Sequence, residues 1–257
     1  MINIIVPCYN EATRMDTKYW KEIINSPNLK HVSFTFIDDG SLDDTLDVIR
    51  QFEDSNNVEI MRLERNAGKA NAIRHACLCL ISRKENLQLF GFIDSDSAFK
   101  AQEVIEILSR ANVLCAEFDA IFLSRIKMAG TSITRSSVRH IISRVIYSYV
   151  AQGWEWAPYD TQCGFKLFQS TFLIDAAFDE PFVTKWFFDI ELTVRLTKVL
   201  SRPLGIKEVP LMNWREQAGS NVRWYHFLNI VREIRTARKL IKNISSFTKS
   251  IQQNESR

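Results

Sequence analysis

The chain has 257 residues, 46% of them hydrophobic, which is enough for one full core and leaves little room for a second independent domain. Its 33 basic and 30 acidic residues leave a formal charge of only +3, without the basic excess of a nucleic-acid binder, so no nucleic-acid partner is expected. Cys8, Cys77, Cys79, Cys115 and Cys163 are odd in number and form no C-x-x-C pair, which argues against a disulfide framework and a structural zinc site.

The first residues, MINIIVPCYNE, lack the basic and long apolar regions of a signal peptide. No stretch approaches the roughly 18 apolar residues of a membrane helix. A cytoplasmic protein with at most peripheral membrane contact is expected. Residues 2–6 read as a buried strand, and Pro7, Tyr9 and Glu11 form the loop after it. Tyr9 can stack on a base, although a lone tyrosine is more often packing. Residues 32–37 form the next strand, followed by Asp38-Asp39-Gly40-Ser41. A turn and a helix N-cap at Ser41 explain the last two residues but not two adjacent carboxylates, one of which could accept the imide N–H of a uracil. Residues 43–52 follow with helical spacing, Leu46, Val48, Ile49 and Phe52 sharing a face.

Strands are expected again at 58–63, 89–93 and 120–123, with a helix at 101–108. Asp94-Ser95-Asp96 ends the strand at 89–93. Two carboxylates on such a turn can chelate a hard divalent cation that neutralises a diphosphate, although by itself D-x-D is a weak signal. Strand–helix alternation predicts a mostly parallel sheet flanked by helices, with ligands beyond the carboxyl ends of the strands. The polar clusters at 7–11, 38–41 and 94–96 would then share one rim. Residues 222–247 mix Trp224, Tyr225, Phe227, Ile234, Leu240 and Ile241 with Arg223, Arg232, Arg235, Arg238, Lys239 and Lys242. Such a basic amphipathic helix either packs on the domain with a solvated basic face or lies in a membrane interface.

The V-P-x-Y-N-E start, the D-D-G-S turn, the R-N-x-G-K segment from Arg65 to Lys69 and the D-S-D turn together resemble family 2 glycosyltransferases of the GT-A fold. Asp160-Thr161-Gln162-Cys163-Gly164-Phe165-Lys166-Leu167-Phe168, Trp186-Phe187-Phe188-Asp189-Ile190-Glu191-Leu192 and Asn213-Trp214-x-Glu216-x-x-Gly219-Ser220 resemble the dolichyl-phosphate β-glucosyltransferase type within it. The similarity runs over residues 2–223, and polyprenyl-phosphate mannose synthases share the frame less closely.

This resemblance implies a Rossmann-like α/β catalytic domain over 1–221 and a C-terminal amphipathic helix and tail over 222–257. It also implies inverting transfer of a hexose from a nucleoside diphosphate, with UDP-glucose favoured, to a polyprenyl or dolichyl phosphate. Pro7, Tyr9, Glu11, Asp38, Asp39, Lys69, Asp94 and Ser95 would hold the nucleotide, and Asp94 and Asp96 a Mg²⁺ or Mn²⁺ ion. Arg125, Arg135, Arg139, Ser143, Gln162 and Glu191 would face the acceptor, Arg135 on the same helix as Arg139. Asp96, Arg125, Arg139 and Asp189 would carry the chemistry. Asp189 reads otherwise as an acid stabilised by a helix N-terminus, and Arg135 and Arg139 as a solvated face.

Two positions depart from the related patterns. The mannose synthases have a glutamine two residues after D-x-D, where this chain, like the glucosyltransferase type, has alanine at Ala98. Asn221 stands where a lysine often follows G-S, with Arg223 nearby. Competing readings are a family 2 enzyme acting on a sugar hydroxyl with Asp189 as base, a nucleotidyltransferase, and a non-catalytic nucleotide-sugar-binding remnant.

Overall fold

Ile2, Ile4 and Val6 face one core cluster and Ile5 the other, as the two-residue period of a strand requires of a chain segment buried on both sides. The computed structural model describes residues 1–83, 87–169, 177–216 and 227–255, with side chains except at 139, 227–228 and 251–255. In chain order the strands are β1 (Ile2–Cys8), β2 (Val32–Asp38), β3 (Val58–Arg62), β4 (Leu89–Ile93), β5 (Ala120–Ser124), β6 (Ser132–Thr134), β7 (Phe165–Gln169), β8 (Ile206–Pro210) and β9 (Asn213–Arg215). The helices are α1 (Thr17–Ile24), α2 (Thr45–Arg50), α3 (Lys69–Ser82), α4 (Ala101–Ser109), α5 (Ala111–Leu114), α6 (Ser137–Val150), α7 (Phe188–Leu200) and α8 (Phe227–Glu255).

Among the described residues the main sheet has seven strands in the order β3-β2-β1-β4-β7-β5-β8. Its pairings are parallel except where β7 lies antiparallel between β4 and β5. The expected mostly parallel sheet flanked by helices is therefore present, with a reversed strand that the sequence reading treated only as a motif. β6 and β9 form a separate parallel pair.

One face of the sheet carries α1 and α4, with Trp20, Phe34, Phe36, Val104 and Leu108 at its core. The other carries α3 and α7, with Ile73, Phe90, Phe168, Leu192 and Leu196. α1 starts where the Asp16 carboxylate accepts from the backbone N–H of Lys18 and Tyr19, at 2.9 and 3.2 Å. The buried Trp20 then donates its indole N–H to the Ser95 carbonyl at 3.1 Å, so packing of this helix fixes the turn after β4.

The N-cap expected at Ser41 is corrected. α2 begins after Asp44, and the Ser41 hydroxyl instead accepts from the Asn10 N–H at 3.0 Å. Gly40 shapes the turn before it: at φ +66° its α-carbon lies so close to the Arg65 backbone that a Cβ would come within 2.6 Å of it.

Ala237, Ile241 and Ile244 of α8 are fully buried, in one cluster with Val150, Trp154, Ile190 and Val194 near α6 and α7. Of the two readings of 222–247, this part of α8 follows the one in which the helix packs on the domain, while Phe247 is 36% exposed. Residues 217–226, with Gly219, Ser220, Asn221, Arg223, Trp224, Tyr225 and the 221/222 boundary, lie outside the described residues. No described helix is long and apolar enough to cross a membrane.

Candidate active site

The loops after β1 and β2 are laced together. Glu11 N–H donates to Thr45 Oγ1 at 2.7 Å, Ala12 N–H to Asp43 at 3.2 Å, and Leu42 N–H to Asn10 Oδ1 at 2.9 Å. Pro7 pairs with Ile37 near the end of β1, and Tyr9, just past the strand, is 40% exposed. Asp38 is fully buried, accepts from Ser41 N–H at 2.9 Å and meets Arg62 at 3.3 Å. Asp39 accepts from Ala67 N–H at 2.7 Å, Gly68 N–H at 2.8 Å and Asn66 Nδ2 at 3.1 Å. Burial pushes the Asp39 carboxyl up, against the lowering effect of the two backbone donors. Through these bonds the second strand end holds the start of α3, and with it Lys69.

Lys69 forms an ion pair with Asp94 and lies 5.6 and 5.5 Å from the ring centroids of Phe92 and Phe188. Burial acts to lower its pKa, but Asp94, Asp189 and Asp96 together raise it. Asp94 also explains a glycine in the Asp160–Phe168 motif. A Cβ on Gly164 would lie 1.8 Å from the Asp94 carboxylate, so only glycine leaves room for it. Ser95 is buried in the turn. Asp96 accepts from Ala98 N–H at 3.2 Å and meets Arg14 at 3.4 Å, while Arg14 also pairs with Glu11 at 2.9 Å.

Burial and then Asp94 push the Asp96 carboxyl up. Burial likewise pushes Glu11 up to about 7, with Arg14 opposing and Asp96, Asp94 and Asp43 adding to it. The Glu11 Oε2 atom is buried without a hydrogen-bond partner. Three carboxylates therefore crowd this rim. Among the described residues no three His, Cys, Asp or Glu side chains form a ready metal cage. The Asp94–Asp96 pair still fits Mg²⁺ or Mn²⁺ chemically, because such ions bind one or two carboxylates and complete their shell with phosphate oxygens and water.

Facing this group stands Arg125 at the end of β5. Its Nε and Nη2 donate to Asp160 at 2.7 and 2.8 Å, and its backbone N–H donates to the same carboxylate at 3.0 Å. Its guanidinium lies 5.2 Å from the Trp214 ring centroid. Burial would lower its pKa, but Asp160 raises it, and Asp94 contributes in the same direction. Burial is also the main influence on Asp160, yet the Arg125 pair outweighs it and holds the carboxyl at about 2.

Arg135 sits two residues before α6, not on it, because the β6 ladder ends at Thr134 and the helix starts only at Ser137. Burial and the neighbouring Arg125 charge lower its pKa, so two guanidiniums share this corner. Ser143 lies on α6; Arg139 is on the same helix, but its side chain lies outside the described ones. Gln162 is exposed, its backbone N–H donating to Asp160 at 3.1 Å.

Two site expectations meet different surroundings. Asp189, in the first turn of α7, is buried and ion-paired at 2.6 Å to the fully buried Lys166. Glu191 braces its own loop. Its buried carboxylate accepts from Val183 N–H, Thr184 N–H, Thr184 Oγ1 and Arg195, all within 3.1 Å, and so faces its own loop. Sequence reasoning missed Arg14, Asp160 and Lys166 as organisers. Only Lys166 left a signal, a lone charge in the apolar run Phe165–Gln169.

The glycosyl transferase family 2 profile matches residues 3–175. This chain belongs to glycosyl transferase family 2. Among family 2 relatives it is 29% identical over 234 residues to the dolichyl-phosphate β-glucosyltransferase of Dictyostelium discoideum, covering 86% of this chain and 68% of that one. The Drosophila melanogaster protein of the same name is 30% identical, with 86% and 69% covered. Among solved structures, glucosyl-3-phosphoglycerate synthase from Mycobacterium tuberculosis, in complex with Mn²⁺, UDP and glucosyl-3-phosphoglycerate, aligns with a TM-score of 0.61 at 16% identity, covering 96% of this chain and 80% of that one. S. aureus TarS in complex with UDP-GlcNAc aligns at 0.54 and 17% identity, with 92% and 66% covered. These two likenesses concern the fold, and they agree with the GT-A architecture expected of a family 2 enzyme.

Proposed function

We infer that the chain transfers glucose, with inversion, from UDP-glucose to the phosphate of a dolichyl or polyprenyl lipid, with help from a divalent metal. The observation that carries this reading is the meeting of opposite charges on one rim. Asp94 and Asp96 end β4, and Arg125, whose pKa responds to Asp94, ends β5 with Arg135 beside it. Two anionic reactants, a diphosphate donor and a phosphate acceptor, need such an arrangement. The names of the relatives that span most of the chain supply the sugar and the lipid.

In this reading Tyr9, Pro7, Glu11, Asp38 and Asp39 surround the nucleoside, and Lys69 and Ser95 lie by the diphosphate. Asp94 and Asp96 would hold Mg²⁺ or Mn²⁺; when bound, that ion neutralises the departing diphosphate. Arg125, Arg135, Arg139 and Ser143 orient the acceptor phosphate, with Gln162 beside them. A phosphate monoester is ionised at neutral pH, so its oxygen attacks the anomeric carbon without a strong general base. Alignment of the two reactants would then supply much of the rate, up to about 7–11 kcal/mol.

The test is a matrix of UDP-glucose, UDP-galactose, UDP-N-acetylglucosamine and GDP-mannose against dolichyl phosphate, undecaprenyl phosphate and an oligosaccharide. Glucosylated lipid phosphate with UDP release is the expected product. Transfer to the oligosaccharide alone would replace this reading with the hydroxyl-acceptor one, and free diphosphate release would indicate a nucleotidyltransferase.

A further inference from the structure

α6 carries an apolar face that stays exposed among the described residues. Val138, Ile141, Ile142, Val145 and Tyr149 are 68, 61, 54, 65 and 53% exposed. Their spacing of i, i+3, i+4, i+7 and i+11 places all five on one stripe of the helix. Val150 and, in part, Ile146 pack on another side of the helix, in the cluster shared with α7 and α8, so the stripe is not the face that anchors α6 to the domain. Contiguous large aliphatic side chains in water mark an interaction surface.

The edges of the stripe are cationic and aromatic. Arg144 stacks 4.7 Å from the Tyr147 ring centroid and 4.0 Å from that of Tyr159. Beyond the last turn, Arg238 of α8 lies 5.8 Å from the Tyr149 ring centroid. Arg135 lies just before the helix and Ser143 on it. An apolar stripe bordered by cations and tyrosines matches the acyl–headgroup boundary of a bilayer, where anionic phosphates meet hydrocarbon.

We propose that α6, through Val138, Ile141, Ile142, Val145 and Tyr149, docks the enzyme on the bilayer that holds its lipid acceptor. The inference rests on the acceptor assigned above. The isoprenoid tail stays in the membrane while its phosphate must reach the corner of Arg125 and Arg135, so the element beside that corner has to lie against the lipid.

The test compares the intact chain with the triple variant Ile141→Ser, Ile142→Ser, Val145→Ser. Flotation with phosphatidylcholine–phosphatidylglycerol vesicles is expected to fall about tenfold or more, with thermal stability unchanged because the three side chains are exposed. Transfer to a long-chain isoprenyl phosphate in those vesicles should fall in parallel, while transfer to a short, water-soluble isoprenyl phosphate stays within about twofold. Equal flotation of both proteins, or no flotation of the wild type, would overturn the docking. So would a shift from dimer to monomer with flotation unchanged, which would make the stripe a contact between copies. If the wild type floats but glucosylates neither phosphate, it is the acceptor assignment that fails.

Discussion

Asp160 and Glu11 show how partners decide the outcome when burial raises two carboxyls alike. Asp160 is paired on both oxygens with Arg125 and held at about 2, so its stabilising contribution is complete above its ordinary range and is lost as pH falls through about 2. Asp160→Asn leaves a buried guanidinium with half its partner, and denaturant unfolding at neutral pH should show a loss of about 3–5 kcal/mol. Glu11 is shifted the other way, from 4.5 to about 7, so its ionisation opposes folding progressively as pH rises between those values. Glu11→Gln should match the wild type near about pH 4 and exceed its stability by about 1–2 kcal/mol near about pH 8, allowing for solvent screening. A gain independent of pH would show that Glu11 is not the titrating group. The carboxylates at strand ends were legible because each interrupts an apolar run. Arg14, Asp160 and Lys166 were not, since their partners Asp96, Arg125 and Asp189 lie far away in sequence and only the fold brings them together.

At the scale of elements, hydrophobic runs located β1, β2, β4 and β5 to within a residue or two, and α4 likewise. Periodicity says nothing about direction or order, so the insertion of β7 between β4 and β5 was not foreseen. That insertion has a function: it brings Gly164 under Asp94 and Lys166 beside Asp189. Gly164→Ala should therefore displace the Asp94 carboxylate and cut transfer about 100-fold or more, with circular dichroism unchanged. Retained turnover would mean that Asp94 is not needed where it stands. Amphipathic spacing was equally silent on which helix face protein covers. For α8 the spacing leaves packing and interface both open; Ala237, Ile241 and Ile244 are core, and an exposed apolar stripe belongs to α6. Ile244→Ala should accordingly cost about 2–4 kcal/mol of stability while leaving vesicle flotation intact.

Across the whole molecule, a nearly neutral chain separates its charges locally. Acids gather beyond β1 and β4, and arginines beyond β5 and before α6, with Lys69 and Arg14 among the acids. The fold class and the acidic half of this rim could be read directly from the residues, whereas the arginine half came from family resemblance. Arg135 lies in the short connection between β6 and α6, which carries no periodic signal, and only the fold brings it to Arg125 and Asp160. The decisive measurement is single-turnover transfer of labelled glucose from UDP-glucose to a short isoprenyl phosphate, with Mn²⁺, by the wild type and by Asp96→Asn. The expected result is a β-linked glucosyl phosphate from the wild type and a rate below about 1% in a folded Asp96→Asn. A wild-type rate in that variant, or an α-linked product from the parent, would contradict metal-assisted inversion at this rim.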